Sequence, residues 1–172
     1  MQREKKVALK DNITLIGMPA SGKSTIGTLL AKRLGKEFID TDLLIQEKYN
    51  KSLKELILEY GDEGFRKLEE EVNSEISVQN AVIAPGGSVI YGEKAMRHLK
   101  EISTLIYLEL SYNAIKSRLG DFRERGVSLP QGQTLRGLYD ERVPMYKKYA
   151  DITVNEMKKS MKKIVDEICE RI

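Results

Sequence analysis

The chain has 172 residues, of which 41% are apolar and 32% charged, a balance that fits one soluble domain with a hydrophobic core. No apolar run approaches the roughly 20 residues that span a bilayer, and the charged residues 1–6 are not followed by the apolar stretch of a secretory signal. The net charge of +3 does not indicate nucleic-acid binding, and a single cysteine excludes an internal disulfide. We therefore expect a cytoplasmic protein with no membrane or nucleic-acid partner.

Short apolar runs alternate along the chain with segments whose apolar residues recur at helical spacing. The predicted strands cover residues 13–16, 36–39, 81–84, 104–108 and 152–154. The predicted helices cover residues 26–34, 43–49, 52–60, 65–78, 93–100, 112–119, 134–149 and 156–172. Strands alternating with helices form right-handed βαβ units, so we expect an α/β fold with a parallel sheet and helices on both faces.

Glycine and proline mark several boundaries between these elements. Gly35 is placed to end the first helix, and the Gly-Asp-Glu-Gly run over 61–64 is expected to interrupt the helical spacing. Pro144 is expected to disturb the helix that contains it. Residues 120–132 are polar, rich in Arg and Gly, and lack periodicity, so we expect a mobile loop there.

A glycine-rich stretch joins the first predicted strand to the first predicted helix and matches G-x-x-x-x-G-K-[ST]. Glycines let the backbone wrap a phosphate chain, and the helix N-terminus attracts its charge. Lys23 supplies a mobile charge for the outer phosphates, and the Ser24 hydroxyl can hold the Mg²⁺ that bridges them. The flanking strand and helix favour a nucleotide site over a tight turn that matches by chance. The residues expected to contact the nucleotide here are Gly17, Ala20, Ser21, Gly22, Lys23, Ser24 and Thr25.

Two acidic residues follow the second predicted strand. Asp40 and Asp42 are two apart in an extended segment and therefore share a face. We interpret Asp40 as part of the Mg²⁺ shell and Asp42 as the group that accepts a substrate hydroxyl, as base or orienter. The alternative is that these residues only cap the next helix, with Asp40 or Thr41 as the cap.

Two further pairs are candidates for substrate binding. Arg66 and Glu69 lie three apart on a predicted helix, where Glu69 is placed to hold the guanidinium while Arg66 binds a carboxylate; taken alone, the pair is better explained as a surface ion pair. Gly86-Gly87 follows the third strand and indicates either a close backbone approach to a ligand or an ordinary tight turn.

Arginines cluster at the predicted loop. An arginine there that closed over the phosphates would stabilise charge in the transition state. Taken singly, however, each of Arg118, Arg123 and Arg125 is better explained as part of a solvated basic loop. Arg142 lies on the helix after the loop, facing either the cleft or the solvent.

Taken in order, these motifs resemble the shikimate kinase family of small P-loop kinases. The resemblance covers nearly the whole chain. It is carried by Lys23-Ser24-Thr25-Ile26-Gly27, Phe38-Ile39-Asp40-Thr41-Asp42, Phe65-Arg66-Lys67-Leu68-Glu69, Gly86-Gly87, the arginine-bearing loop, Glu141-Arg142-Val143-Pro144-Met145-Tyr146 and Tyr149-Ala150-Asp151-Ile152-Thr153-Val154.

The resemblance implies a three-layer P-loop kinase fold with a five-stranded parallel sheet flanked by helices. It implies one kinase domain over 1–172, with a substrate-binding segment over about 40–78 and a lid over about 120–133. It also implies ATP as donor, Mg²⁺ as helper and shikimate as the small-molecule substrate, converted to shikimate 3-phosphate in aromatic amino-acid biosynthesis. We expect the enzyme to be a monomer.

The resemblance also implies roles for individual residues. The family's magnesium-linked aspartate matches Asp40, and its substrate-hydroxyl aspartate matches Asp42. Its substrate-carboxylate arginines match Arg66 and Arg142, its glycine-rich substrate turn matches Gly86 and Gly87, its adenine-side arginine matches Arg118 and its lid arginine matches Arg125. The catalytic residues expected on this basis are Lys23, Asp42 and Arg125.

Two positions depart from the family pattern. The third turn glycine is Ser88, and the lid reads Arg125-Gly126-Val127 where the family has Arg-Pro-Leu. Both changes concern substrate closure, so one alternative is a divergent kinase of another small hydroxyl compound, such as a sugar acid or hydroxy amino acid. Another is a regulator that binds nucleotide without phosphorylating anything, against which the joint presence of Lys23, Asp40, Asp42 and Arg66 argues.

Overall fold

The computed structural model describes residues 10–120 and 129–172. Its five strands form one parallel sheet in the order β2-β3-β1-β4-β5. The strands are β1 (Asn12–Ile16), β2 (Glu37–Asp40), β3 (Ala81–Ala84), β4 (Ser103–Glu109) and β5 (Ile152–Asn155). The helices are α1 (Lys23–Leu34), α2 (Thr41–Tyr49), α3 (Leu53–Ser74), α4 (Glu93–Ile102), α5 (Tyr112–Leu119), α6 (Leu135–Tyr149) and α7 (Met161–Arg171), with a 3₁₀ turn at Val89–Tyr91.

The core lies on both faces of the sheet. Ile13 and Leu15 of β1 point to the face covered by α1 and α7, where they pack with Leu30 and Ile168. The opposite face packs against α4, α5 and α6. A third cluster, around Ile45, joins α2 to α3. The predicted α/β fold, a five-stranded parallel sheet flanked by helices, is therefore confirmed.

Most predicted elements occur, but several boundaries differ. Helix α3 covers both predicted helices, over 52–60 and 65–78, but it is kinked between them at Gly61, where φ 71° and ψ 176° leave the helical conformation. The predicted interruption is therefore confirmed at Gly61, while residues 62–64 are helical. That helix ends at Ser74, not at residue 78. Helix α7 begins at Met161 and not at 156, because the Ser160 side chain accepts a hydrogen bond from the Lys163 backbone N–H and caps it. Helix α6 continues through Pro144.

Two other predictions about helix ends are confirmed. Gly35 ends α1 in the left-handed conformation with φ 65°. Asp40 caps α2, since its side chain accepts a hydrogen bond from the Asp42 backbone N–H. No helix in the described ranges has the length and apolar character needed to cross a membrane.

Candidate active site

The loop between β1 and α1 has a backbone conformation that is unfavourable for most residues with a side chain. Gly22 immediately precedes α1 with φ 90°, and a Cβ on Gly17 would lie 2.9 Å from the Leu108 carbonyl oxygen. Ala20 also has a positive φ, 63°. These angles turn the chain back over the N-terminus of α1, where unpaired backbone N–H groups and the helix dipole favour an anion.

Lys23 is anchored beneath this loop. Its Nζ donates hydrogen bonds to the carbonyl oxygens of Gly17 at 2.8 Å and Met18 at 2.7 Å. Burial lowers the pKa of the Lys23 ammonium to about 8, partly offset by the nearby Asp42 carboxylate. Lys23 is thus a buried positive charge at the floor of the cleft that this loop borders.

Ser24 and Asp40 bring two oxygen donors together beside the loop. The Ser24 hydroxyl donates to Asp40 Oδ2 at 3.3 Å, while Asp40 Oδ1 accepts the bond that caps α2. The capping and metal-site interpretations of Asp40 are therefore compatible, because they use different oxygens. Mg²⁺ prefers oxygen ligands and is usually held by one or two protein groups together with substrate phosphates, so this pair fits it. Across the described parts of the chain, no cluster of three or more His, Cys, Asp or Glu offers another metal site.

A cleft of about 310 Å³ opens beside the loop between β1 and α1, residues 17–22, which we call the phosphate loop. Asp42 lies on its wall, with its carboxyl pKa raised to about 6 by burial and then by the adjacent Asp40, against the lowering effect of Lys23. Predicted residues from four separate segments of the chain line this one cleft: Ala20, Gly22, Lys23, Ser24, Thr25, Asp40, Asp42, Gly86, Gly87 and Arg142.

Arg142 faces the cleft, which resolves the alternative that the sequence left open. It is 1% exposed, and its Nε donates to the Tyr91 hydroxyl at 3.4 Å. The Arg66 guanidinium lies 3.8 Å from the centre of the same ring, and that of Arg142 lies 5.3 Å from it. Among the described residues, neither Arg66 Nε nor Arg142 Nη2 has a hydrogen-bond partner, although both atoms are buried. Two guanidinium groups with free donors on one aromatic ring suit a carboxylate ligand.

Glu69 does not hold Arg66 in the way the sequence indicated. Among the described residues no ion pair joins the two side chains, although the charge of Arg66 acts to lower the pKa of Glu69. Instead, the Ser88 hydroxyl donates to Glu69 Oε2. Arg66 stacks on Tyr91, a partner that the helical spacing of Arg66 and Glu69 did not reveal. Burial raises the pKa of the Glu69 carboxyl to about 7, although the bond from Ser88 lowers it.

The Gly86-Gly87 turn is packed too closely to accept side chains. A Cβ on Gly86 would lie 3.0 Å from Asp42 Oδ1, and one on Gly87 would lie 2.7 Å from Pro19 Cδ. The backbone of this turn therefore lies close to both Asp42 and the phosphate loop, and its close approach to a ligand stays a prediction.

Arg118 lies on the other side of the phosphate loop. Its Nη1 donates to the Ala20 carbonyl oxygen at 3.4 Å and to Glu156 Oε2 at 3.4 Å. The Glu156 side chain is fully buried and its pKa is raised to about 7 by that burial, although Arg118 lowers it. Glu156 was not predicted as a site residue, because it follows β5 without any local motif. Arg123 and Arg125 lie outside the described residues.

A model of the shikimate kinase family matches residues 19–172. The chain belongs to the shikimate kinase family. A shikimate kinase of Clostridium botulinum (strain Eklund 17B / Type B) is 37% identical over 164 residues, which cover 91% of this chain and 98% of the relative. One from Sulfurihydrogenibium sp. is 32% identical over 94% of this chain and 97% of the relative.

Solved structures show the same relationship. The shikimate kinase from Acinetobacter baumannii, solved in complex with shikimate, superposes with a TM-score of 0.85 at 28% identity, covering 95% of this chain and 92% of that one. The enzyme from Aquifex aeolicus has a TM-score of 0.79 at 33% identity, covering 93% and 95%. A gluconokinase from Sinorhizobium meliloti, at 17% identity and a TM-score of 0.56, shares the fold alone.

The family relationship confirms the prediction made from the motifs. As a member of the shikimate kinase family, the chain is a kinase that transfers a phosphoryl group to a hydroxyl, and the family uses ATP as the donor. The predicted P-loop kinase fold is also confirmed, since the structural neighbours are shikimate kinases and other small kinases.

Proposed function

We propose that this kinase transfers the γ-phosphoryl of ATP to a hydroxyl of shikimate, forming shikimate 3-phosphate. The observation that carries the proposal is the arrangement of Arg66 and Arg142 on the Tyr91 ring, with free guanidinium donors, beside the cleft that also holds Asp42 and the phosphate loop. A carboxylate bound to the two arginines would leave the hydroxyls of the same small molecule near Asp42. The solved complex of the Acinetobacter baumannii relative contains shikimate, a molecule with this combination of groups.

The nucleotide is proposed to bind at the glycine-rich loop. Backbone N–H groups of the loop bind the phosphates, and Lys23 exchanges its contacts with the loop carbonyls for contacts with the outer phosphates. Ser24 and Asp40 would hold Mg²⁺, which when bound neutralises charge on the phosphate oxygens. Arg118, which contacts the Ala20 carbonyl oxygen of the loop, is proposed to contact the adenine side, and Arg125 of the predicted lid is proposed to contact the phosphates.

Asp42 is proposed to bind the attacking hydroxyl. Its carboxylate either takes the proton or orients the hydroxyl towards the donor, and the backbone at Gly86 and Gly87, which lines the same cleft, is proposed to contact the acceptor. An Asp42→Asn variant that kept full turnover would contradict both roles. We further propose that the kinase acts as a single-domain monomer in the cytoplasm.

The direct test is ADP release from MgATP with and without shikimate. We expect shikimate to stimulate release strongly in the natural sequence and not in Lys23→Met. Lys32→Met is the matched control, since Lys32 is an exposed lysine on the same helix, α1. Stimulation that survived in Lys23→Met would contradict the assigned site.

A second candidate is a kinase of another small hydroxyl compound, favoured by the buried Ser88 at the substrate turn. If ATP binds and shikimate gives no stimulation, a panel of sugar acids and hydroxy amino acids identifies the acceptor. If no acceptor raises turnover, a nucleotide-binding regulator replaces both proposals.

A further inference from the structure

The Glu69 carboxylate is buried, and among the described residues only one of its two oxygens has a hydrogen-bond partner. The residue is 2% exposed, and its Oε2 accepts the hydrogen bond from the Ser88 hydroxyl. Its Oε1 has no hydrogen-bond partner in the part of the chain that the structure describes. An unpaired carboxylate oxygen in such a place is costly unless a ligand completes it.

The free oxygen of Glu69, Oε1, and the Asp42 oxygen Oδ1 both lie close to Gly86. A Cβ built on Gly86 would lie 3.2 Å from Glu69 Oε1 and 3.0 Å from Asp42 Oδ1, so the two oxygens converge over the Gly86 backbone. Both residues line the cleft. That position is one covalent bond from Gly86 Cα and is closed to a ligand, but the two oxygens flank it at the wall of the cleft, an arrangement that suits a ligand with neighbouring hydroxyl groups.

Ser88 connects this carboxylate to the turn that supports it. Its side chain is buried, at 8% exposure, and its backbone carbonyl accepts the Tyr91 N–H at 3.1 Å. The Gly87 carbonyl accepts the Tyr146 hydroxyl at 2.5 Å, which fixes the turn to α6. The Ser88 hydroxyl fixes the same turn to α3 by using one oxygen of Glu69, and thereby decides which oxygen faces the cleft.

We propose that Ser88 is a positioning residue that holds Glu69 Oε1 beside Asp42, so that Glu69 binds a second hydroxyl of the acceptor. This inference rests on the proposed function, because it takes the acceptor to be a polyhydroxylated small molecule bound over Gly86. It assigns to Glu69 direct contact with the acceptor and to Ser88 an indirect role. Neither residue contacts the nucleotide in this assignment.

The test compares Ser88→Ala with the natural sequence in steady-state kinetics. We expect Ser88→Ala to raise KM for shikimate about tenfold, the typical loss for one hydrogen bond to a charged group, and to leave KM for ATP unchanged. Ser88→Thr, which keeps the hydroxyl, should recover most of the loss. The matched control is Ser103→Ala, which removes another buried serine hydroxyl, bonded to the Leu99 carbonyl oxygen at 2.5 Å in β4, away from the cleft.

Shikimate analogues that each lack one hydroxyl separate positioning from general stabilisation. For the analogue lacking the hydroxyl that Glu69 binds, Ser88→Ala and the natural sequence should have the same kcat/KM. A tenfold loss that persisted with every analogue, or an equal rise in both KM values, would overturn the proposal. So would a rise in KM for shikimate in Ser103→Ala as large as that in Ser88→Ala.

Calorimetric titration with shikimate in the presence of ADP distinguishes failure of this inference from failure of the proposed function. Binding that is about tenfold weaker in Ser88→Ala supports the positioning role even if no phosphoryl transfer is seen. Equal affinity in the two proteins overturns that role even if shikimate is phosphorylated.

Discussion

Tyr91 determines where two cationic side chains lie, although the residue itself belongs to no recognised motif. The Arg66 guanidinium stacks on its ring at 3.8 Å and Arg142 donates to its hydroxyl at 3.4 Å. Like charges repel, and the negative π face and acceptor oxygen of the ring offset this repulsion together with the nearby Glu69 carboxylate. Tyr91 thus helps to form the carboxylate-binding wall of the proposed site.

Two substitutions of Tyr91 should therefore weaken acceptor binding to different extents. We expect Tyr91→Ala to raise KM for shikimate by about tenfold or more, because it frees both arginines, and Tyr91→Phe to raise it less, because stacking is kept. Tyr112→Ala is the control, since Tyr112 lies 4.8 Å from the Arg136 guanidinium outside the cleft. Steady-state kinetics checks this, and a smaller effect for Tyr91→Ala than for Tyr91→Phe would contradict it.

Glu156 makes the stability of the fold depend on pH. Burial raises the pKa of its carboxyl from 4.5 to about 7, so the folded protein holds a proton there that the unfolded chain releases between these values. The resulting destabilisation is absent below pH 4.5, grows as pH rises, and is complete above about pH 7. It amounts to about 3 kcal/mol at most.

We therefore expect the difference in free energy of unfolding between Glu156→Gln and the natural sequence to grow in favour of the variant from pH 5 to pH 8. Urea unfolding at several pH values measures it, with substitution of the exposed Glu170 by Gln as control. A difference that stayed constant across this range would show that the Glu156 carboxyl does not carry the effect.

Among the elements, the contact of α1 with the sheet depends on a glycine. A Cβ on Gly27 would lie 2.5 Å from Phe38 Cε2 and 3.4 Å from Leu15 Cδ1, so the helix can approach β1 and β2 only without a side chain at this position. Because α1 lies this close to the sheet, its N-terminal residues Lys23 and Ser24 line the cleft.

Gly27→Ala should lower the free energy of unfolding by about 1–3 kcal/mol, the usual cost of overpacking a core. Gly137→Ala in α6 is the matched control: there the contact is Gln133 Oε1, the end of a flexible side chain that can move away. We expect no loss in the control, because alanine is the better helix former. Chemical denaturation of both variants checks this, and equal losses would show that the Phe38 contact is not responsible.

The predicted functional groups lie together because the sheet is parallel. The loop after β1, the aspartates at and after β2 and the turn after β3 all leave the sheet at its carboxyl edge. Ligands of open α/β sheets bind at this edge. Ligand binding to several elements at once should therefore stabilise the entire fold.

We expect saturating MgADP, at about 100 times its Kd, to stabilise the protein by about 2.7 kcal/mol and to raise Tm by about 5–10 °C. Lys23→Met should lose most of this rise, and Lys32→Met should keep it. A thermal-shift measurement with and without nucleotide checks both variants. An undiminished shift in Lys23→Met would place the nucleotide elsewhere.

Local patterns in the sequence were sufficient for the fold class, the phosphate loop and the family. Alternating strands and helices determine a parallel α/β sheet, and the spacing of Gly17, Gly22 and Lys23 indicates a phosphate site, because both patterns depend on neighbours along the chain. Element ends were predicted less well: the continuity of α3 across residues 62–64 and the start of α7 depend on capping and on packing against other elements.

Tertiary structure alone decided the partners of the charged side chains. The bonds of Ser88 to Glu69, Arg118 to Glu156 and Arg142 to Tyr91 span 19, 38 and 51 residues, and no local spacing encodes them. Each forms because packing of the sheet and helices buries a charge that must find a partner or remain open to a ligand. The sequence thus determined which chemical groups this kinase possesses, and the packed fold determined which of them remain free to bind the acceptor.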